Sequence, residues 1–251
     1  MAVLCSIRTS GSCKMPESIE QVVDAILMSP APVMMPDTSS LLNILEAPVP
    51  EEGVSPNVVP SALTLLGRLQ TAPPSLHVVL AEVVEEEWLR LHASKQEKTA
   101  SSIRKADERI SFLWGIASAM ISAPAAPYIQ FSGLQIAQRL HAIAGQIVSR
   151  AMVIAGNADF HSKAGMRIFA GDAPAKPGKK VTEANDCLLI EQYLELCRRL
   201  RAAGFTQRCV FITSNTHDFG EPKAPRQPLD QEFADAKIDF VYDLAAATAL
   251  V

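Results

Sequence analysis

Val33-Met34-Met35-Pro36-Asp37-Thr38-Ser39-Ser40-Leu41-Leu42-Asn43-Ile44-Leu45 passes from one periodicity to another. Its short apolar opening suits a buried strand, residues 36–40 are turn chemistry, and the apolar residues from Leu41 onward are spaced for a helix. The same order recurs in Leu76-His77-Val78-Val79-Leu80 running into a helical stretch at 82–91. It recurs in Cys209-Val210-Phe211-Ile212, which ends at Thr213-Ser214-Asn215, and in Ile238-Asp239-Phe240-Val241 before a short terminal helix. Strands alternating with helices specify an α/β fold with a mainly parallel sheet and helices on both faces.

Outside these junctions the chain is mostly helical in pattern. The first fourteen residues carry no periodicity and Ile19, Val22, Val23 and Ile26 are spaced for a helix, so residues 1–30 read as a leader plus a helix and 31–251 as one domain. A Pro-rich loop at 48–60 precedes a short helix at 62–69. Residues 94–156 are helical in pattern almost throughout, broken at Pro124 and Pro127, which predicts a long helical hairpin inserted into the domain. Within it, 112–129 approaches membrane-spanning length but is rich in Ala, Ser and Gly, and reads as a buried helix followed by a turn. Residues 165–180 form a Gly/Pro/Lys loop, Thr182 is a candidate cap, and 183–201 is a strong helix closed near Gly204.

Bulk properties narrow the classes. A net charge of -4 gives no global attraction to nucleic acid, so a polyanion would need a local basic patch or bound cations. The five cysteines form no CxxC pair and are odd in number, which argues against a zinc knuckle or a complete disulfide framework and for a reducing compartment. With no signal-peptide pattern at the start, a cytoplasmic protein is expected, with no membrane partner. HExxH, Walker, GxGxxG and GxSxG motifs are missing, which lowers the standing of zinc proteases, P-loop NTPases, dinucleotide enzymes and serine hydrolases.

Ligands of open parallel sheets bind beyond the C-terminal ends of the strands, so the acids at the four junctions matter most. Asp37 alone reads equally well as a helix cap. Glu82, Glu85, Glu86 and Glu87 would complement the dipole of the helix they open. Asp186 heads a stripe formed by Leu189, Ile190, Tyr193, Leu196 and Leu200, and a carboxylate at the head of a buried stripe calls for a cation or several donors. Asn215 and Asp218 follow the Cys209-to-Ile212 strand, where an Asx turn is the plainer account. Together the four sites point to chemistry, because two carboxylates about 4 Å apart repel by about 4 kcal/mol at an effective dielectric near 20. Oxygen ligands without Cys or His select Mg²⁺ or Mn²⁺, and one or two such ions support in-line phosphoryl displacement.

The segment Asp37-Thr38-Ser39-Ser40-Leu41-Leu42 resembles the opening acid motif of PIN-domain nucleases, and Thr213-Ser214-Asn215-Thr216-His217-Asp218-Phe219 resembles their closing T-x-[ND]-x-x-D-F segment. Val83-Val84-Glu85-Glu86-Glu87-Trp88 resembles the second motif, with Glu87 aligned to its acid and Glu82 and Glu86 as rivals. Asn185-Asp186-Cys187-Leu188-Leu189-Ile190 resembles the third, with Glu183 an auxiliary acid one turn earlier. The similarity runs from Val33 to about Ala246, apart from the hairpin. It implies a Rossmann-like three-layer α/β/α sandwich and a Mg²⁺- or Mn²⁺-dependent endoribonuclease. By that resemblance Asp37, Glu87 and Asp186 are the principal metal ligands, and Asn215 or Asp218 completes the catalytic shell. Toxin halves of toxin-antitoxin pairs are of this kind, which adds an antitoxin or inhibitor protein to the RNA substrate as an expected partner. Three departures stand out: Asn215 where many members have Asp, Pro36 directly before the first acid, and the long hairpin. They keep two alternatives open, an inactive PIN-like RNA- or protein-binding module and a structure-specific DNA nuclease.

Lys163, Arg167, Lys176, Lys179 and Lys180 against Asp172 give residues 163–180 a local charge of +4. Arg167 and Lys180 are the choices for phosphate contact. Thr213 is a further substrate-side candidate, and Ser39 a weaker one, although turn hydroxyls commonly bond local backbone. His217 has no second His or Cys at metal or triad spacing and reads as a turn residue. The hairpin stripes read as core, with a surface for RNA, a second copy in a homodimer or an inhibitor as the functional alternative.

Overall fold

The computed structural model describes residues 15–121, 129–175 and 184–251. Among these, the strands are β1 (Val33–Pro36), β2 (His77–Ala81), β3 (Met152–Ile154), β4 (Cys209–Ile212), β5 (Gly220–Glu221), β6 (Ala224–Pro225) and β7 (Ile238–Val241). Helices α1 (Ile19–Met28), α2 (Thr38–Glu46), α3 (Val58–Leu69), α4 (Glu82–Ile121) and α5 (Ile136–Arg150) fill the first half. The second half holds α6 (Ala158–Ala170), α7 (Ala184–Ala202), α8 (Thr216–Phe219), α9 (Leu229–Ala236) and α10 (Leu244–Leu250).

Five strands form one parallel sheet in the order β3-β2-β1-β4-β7, and β5 and β6 pair as a small antiparallel hairpin. Helices α2, α3, α5 and α10 pack on one another in one layer, while α1, α6 and α9 pack around α7 in the other. This is the three-layer α/β/α arrangement expected, and it explains why β1, β2 and β4 are buried along their whole length instead of alternating. Pro36 fits because the Val33 and Asp37 N–H groups bond on the β4 side, which turns the Pro36 nitrogen toward β2, where the pairing with β1 ends at Met34 and Val78. Gly220 makes the turn out of α8 at φ +86, and a Cβ there would lie 2.6 Å from the Arg226 amide nitrogen, so no other residue fits.

The topology places the site. From β1 the chain steps outward to β2 and β3, then returns to the other side of β1 for β4 and β7. Strand order therefore reverses between β1 and β4, where an open α/β sheet leaves a crevice. Asp37 follows β1 and Thr213 follows β4, so both stand at that point.

Several expectations change. Residues 152–154, read as the end of a helix, form β3 at the sheet edge, and α5 packs against α2 and α3, so this part of the hairpin belongs to the body of the domain. One helix, α4, runs continuously from Glu82 through the expected break before Ser94. The loop expected from 165 starts inside α6, which is capped by Asn157 and closes at Gly171. Far from being buried, Phe112, Leu113, Trp114, Ile116 and Met120 are exposed. Residues 1–14, Pro124, Pro127, Lys176, Lys179, Lys180, Thr182 and Glu183 lie outside the described residues. Among the described residues no helix is long and apolar enough to cross a membrane.

Candidate active site

Asp37 extends β1 by one ladder bond, its N–H donating to the Ile212 carbonyl at 2.9 Å, which pins its carboxylate over the gap between β1 and β4. That carboxylate is buried and held by neutral donors. Ser40 N–H reaches Oδ1 at 2.9 Å, Ser39 Oγ reaches Oδ1 at 2.8 Å, and the Thr213 hydroxyl donates to Oδ2. Capping α2 and lining the site are thus one arrangement, since the Ser40 bond is the cap. Burial pushes the Asp37 carboxyl above the usual carboxylate range, while the bonds from Thr213, Ser40 and Ser39 pull it back.

Glu87 lies in the second turn of α4. Its Oε2 accepts from Thr38 Oγ1 at 2.8 Å and its Oε1 from Asn185 Nδ2 at 2.8 Å, so it joins α2, α4 and α7. Arg90 approaches the same Oε1 at 3.5 Å from the solvent side. Behind it, Trp88 stacks on His92 and His141, and His141 Nε2 lies 2.8 Å from His92 Nδ1, fastening this part of α4 to α5.

Asp186 occupies the first turn of α7, half-buried above the fully packed Ile190, Tyr193, Leu196 and Leu200. Asn215 Nδ2 sits 3.4 Å from its Oδ2 and donates to Asp218 Oδ2 at 2.8 Å, placing one amide between two acids. Tyr193 sets the spacing beneath. Its buried hydroxyl donates to the Pro36 carbonyl at 2.8 Å and accepts from Ala81 N–H at 3.1 Å, clamping the ends of β1 and β2.

These side chains share one pocket of about 290 Å³. Asp37, Thr38, Ser39, Glu87, Asn185, Asp186 and Asn215 supply its polar wall, and Leu42, Val83, Val84 and Leu189 are among its apolar lining. Among the described residues no Lys or Arg lines it, and Arg90 reaches Glu87 from outside the wall. Nor, among the described residues, do three His, Cys, Asp or Glu side chains stand close enough to hold a metal ion as placed. Neutral hydroxyls and amides separate the acids instead.

The sequence-derived set thus divides. Asp37, Glu87, Asp186 and Asn215 converge. Asp218 does not line the pocket; its Oδ2 accepts from the Asn215 amide at 2.8 Å, one side chain back from the wall. Thr213 is fully buried, its hydroxyl on Asp37 and accepting from Asn215 N–H at 2.9 Å, which removes it from substrate contact and makes it a positioning residue. Arg167 is buried in α6, bonded to Glu191 and Glu232 at 2.7 Å each, and cannot reach a phosphate. Lys163 pairs with Asp159 at 2.8 Å. Glu82 turns away to accept from Gly156 N–H at 2.6 Å, and Glu86 is exposed outside the pocket, so neither rivals Glu87. His217 is exposed, as expected. Glu183 and Lys180 lie outside the described residues. Sequence reasoning passed over Thr38, Asn185 and the hydroxyl of Tyr193. The first two were adjacent to acids already singled out; the third was counted only as part of an apolar stripe. Comparison of the chain with family models, with curated proteins and with solved structures finds no match.

Proposed function

We propose that this pocket is the active site of a Mg²⁺- or Mn²⁺-dependent endoribonuclease of PIN type. The observation that carries the reading is the convergence of Asp37, Glu87 and Asp186, from three segments distant in sequence, on one pocket at the reversal point of the sheet. The donor set fits a hard divalent cation, being all oxygen and amide with no Cys or His. Asp37, Glu87 and Asp186 would hold it, and when bound it supplies a polarised water and neutralises the phosphate charge.

The chain's own residues account for the rest. Thr213, Ser39 and Ser40 hold the Asp37 carboxylate in one orientation, so the closing-up that ion capture requires would fall to Glu87 and Asp186. Thr38 and Asn185 keep Glu87 against the wall. The Asn215 amide holds Asp186 and Asp218 apart where a third carboxylate would add repulsion, which gives a physical reason for Asn at this position. Leu42, Val83, Val84 and Leu189 lower the local dielectric and strengthen each charge interaction.

The test is Asp186→Asn. Mn²⁺-stimulated cleavage of single-stranded RNA is lost while the melting temperature stays equal or rises, because carboxylate repulsion is relieved. A wild type that never cuts RNA, with a variant that unfolds, makes the acids structural; equal cutting of DNA in parallel reactions changes the substrate.

A second reading, a PIN-like binding module without catalysis, has one observation in its favour. Both Glu87 oxygens are already occupied by Thr38 and Asn185, so the acids are not gathered around a common point. Calorimetry separates the two: no heat from millimolar Mg²⁺ or Mn²⁺, with RNA binding retained, selects the module.

A further inference from the structure

The outer end of α4 is built unlike the rest of the molecule. Ile103 and Asp107 are the last buried residues along it, and none from 108 to 120 is buried. At 1.5 Å per residue α4 continues roughly 20 Å past Asp107, with Gln130 and Ser132 beside Ser111 and Phe112 at the start of this length. It is apolar all the same. Phe112, Leu113, Ile116 and Met120 fall within about 100° of the helix surface by their spacing, and Phe112 and Met120 are 69% and 80% exposed. Trp114 flanks the stripe, and Ile129 on the returning segment is exposed as well.

The second observation is electrostatic. Residues 111–138 contain no Asp, Glu, Lys or Arg, in a chain that is 20% charged overall. Nothing on this arm would recognise a phosphate backbone, an anionic lipid surface or a charged peptide, each of which requires formal charges at the contact. A partner of matching chemistry presents an uncharged apolar helical face of similar width.

We infer that the arm is a homodimerisation element, in which the stripe of α4 packs against the same stripe of a second copy. Area supports this. Phe112, Leu113, Ile116 and Met120 together expose roughly 500 Å² at the fractions observed, so two copies would bury about 1,000 Å², the threshold for a specific interface. A two-fold contact requires only that a patch complement itself, which a neutral apolar stripe does. Arm length supports it too. Each body carries -4, and an arm of roughly 20 Å holds the bodies more than two Debye lengths apart at the ~8 Å screening distance of physiological salt.

Sedimentation velocity and light scattering of the full chain across 1–100 μM test the inference. Wild type is expected to be a dimer, and Phe112→Glu/Ile116→Lys a monomer with dissociation at least a hundredfold easier and an unchanged melting curve, since both side chains lie outside the core. If circular dichroism finds the double variant misfolded, Met120→Glu replaces it, with at least tenfold weaker association expected. A wild type monomeric at 100 μM overturns the inference, as does either folded variant dimerising as tightly as wild type. So does a monomer that floats with neutral phosphatidylcholine vesicles, which would make the stripe a lipid contact.

Discussion

Arg167 and Asp37 are both ionisable side chains buried in one domain, and they are matched in opposite ways. The Arg167 guanidinium meets two carboxylates, Glu191 and Glu232, and the Ala173 carbonyl at 2.6 Å. Asp37 meets two hydroxyls and one backbone amide, while Glu87 and Asp186 share its pocket. A charge buried for architecture is neutralised where it stands. A charge kept among neutral donors, beside other charges of its own sign, is expensive to maintain and is the kind of strain that marks a binding or catalytic site.

Removing Arg167 should have the largest effect. Arg167→Leu strands the buried Glu191 and is expected to cost about 3–5 kcal/mol, a fall of roughly 6 to 20 °C in melting temperature for a chain of this size. Adding Glu191→Leu should recover part of that loss. If the single variant melts within 2 °C of wild type, Arg167 is not held as described and the contrast collapses.

Tyr193 gives an intermediate case, a buried neutral group fully matched between β1 and β2. Tyr193→Phe leaves the Pro36 carbonyl and Ala81 amide without that hydroxyl and should cost about 1–3 kcal/mol by denaturant titration. Because the two strand ends carry Asp37 and lead into the helix of Glu87, catalysis should fall further than stability.

At Asp37 the sign should reverse. With chelator present, Asp37→Asn melts at the same temperature as wild type or higher. Mn²⁺ at ten times its dissociation constant raises the wild type by about 1.4 kcal/mol, or roughly 3 to 6 °C, and leaves the variant unmoved. The pH dependence follows from the raised Asp37 carboxyl. Folded protein holds that proton more tightly than unfolded, so stability from this group is complete below the unfolded value near 3.9 and declines as pH rises through the folded one. The advantage of Asp37→Asn over wild type, measured in chelator by thermal melts, should therefore grow from nothing near pH 4 and level off toward neutrality. An advantage that shrinks with rising pH would mean the carboxylate is stabilised in the fold, as Arg167 is.

The smallest effect belongs to Glu86→Gln, one residue from Glu87 but exposed outside the pocket. Stability should change by no more than about 0.5 kcal/mol and cleavage not at all, whereas Glu87→Gln should abolish metal-dependent cutting. Equal losses in the two would move the second acid motif.

Legibility followed the strength of local signals. Strands β4 and β7 were readable to the residue because each is a short apolar run closed by turn residues. Strand β3 was hidden because Met152-Val153-Ile154 follows α5 across a single residue, Ala151, so its apolar side chains continue a helical pattern. Helix α6 had its signal in the Asn157 cap and in Phe160, Ala164 and Arg167 at helical spacing, but Gly165 and the lysines beyond it suggested a loop. In the site, Asp37 and Glu87 stood out as acids that follow strands, and Asp186 as a carboxylate at the head of a buried helical stripe. The roles of Thr213, Asp218 and Arg167 did not, since a hydroxyl, an acid or a base looks the same in sequence whether it faces a ligand or a neighbour.

The amino-acid order by itself marked β1, β2, β4 and β7 and the acids Asp37 and Glu87 that follow the first two, because these depend on periodicity and turn chemistry within a few residues. Only the tertiary structure decided which acids share a pocket, which basic residue is sealed among carboxylates, and that the apolar end of α4 stays exposed among the described residues. Those outcomes depend on strand order, helix layer and what packs against what. A side chain's composition states what it can bond to, and only its three-dimensional neighbours settle whether that capacity is already used.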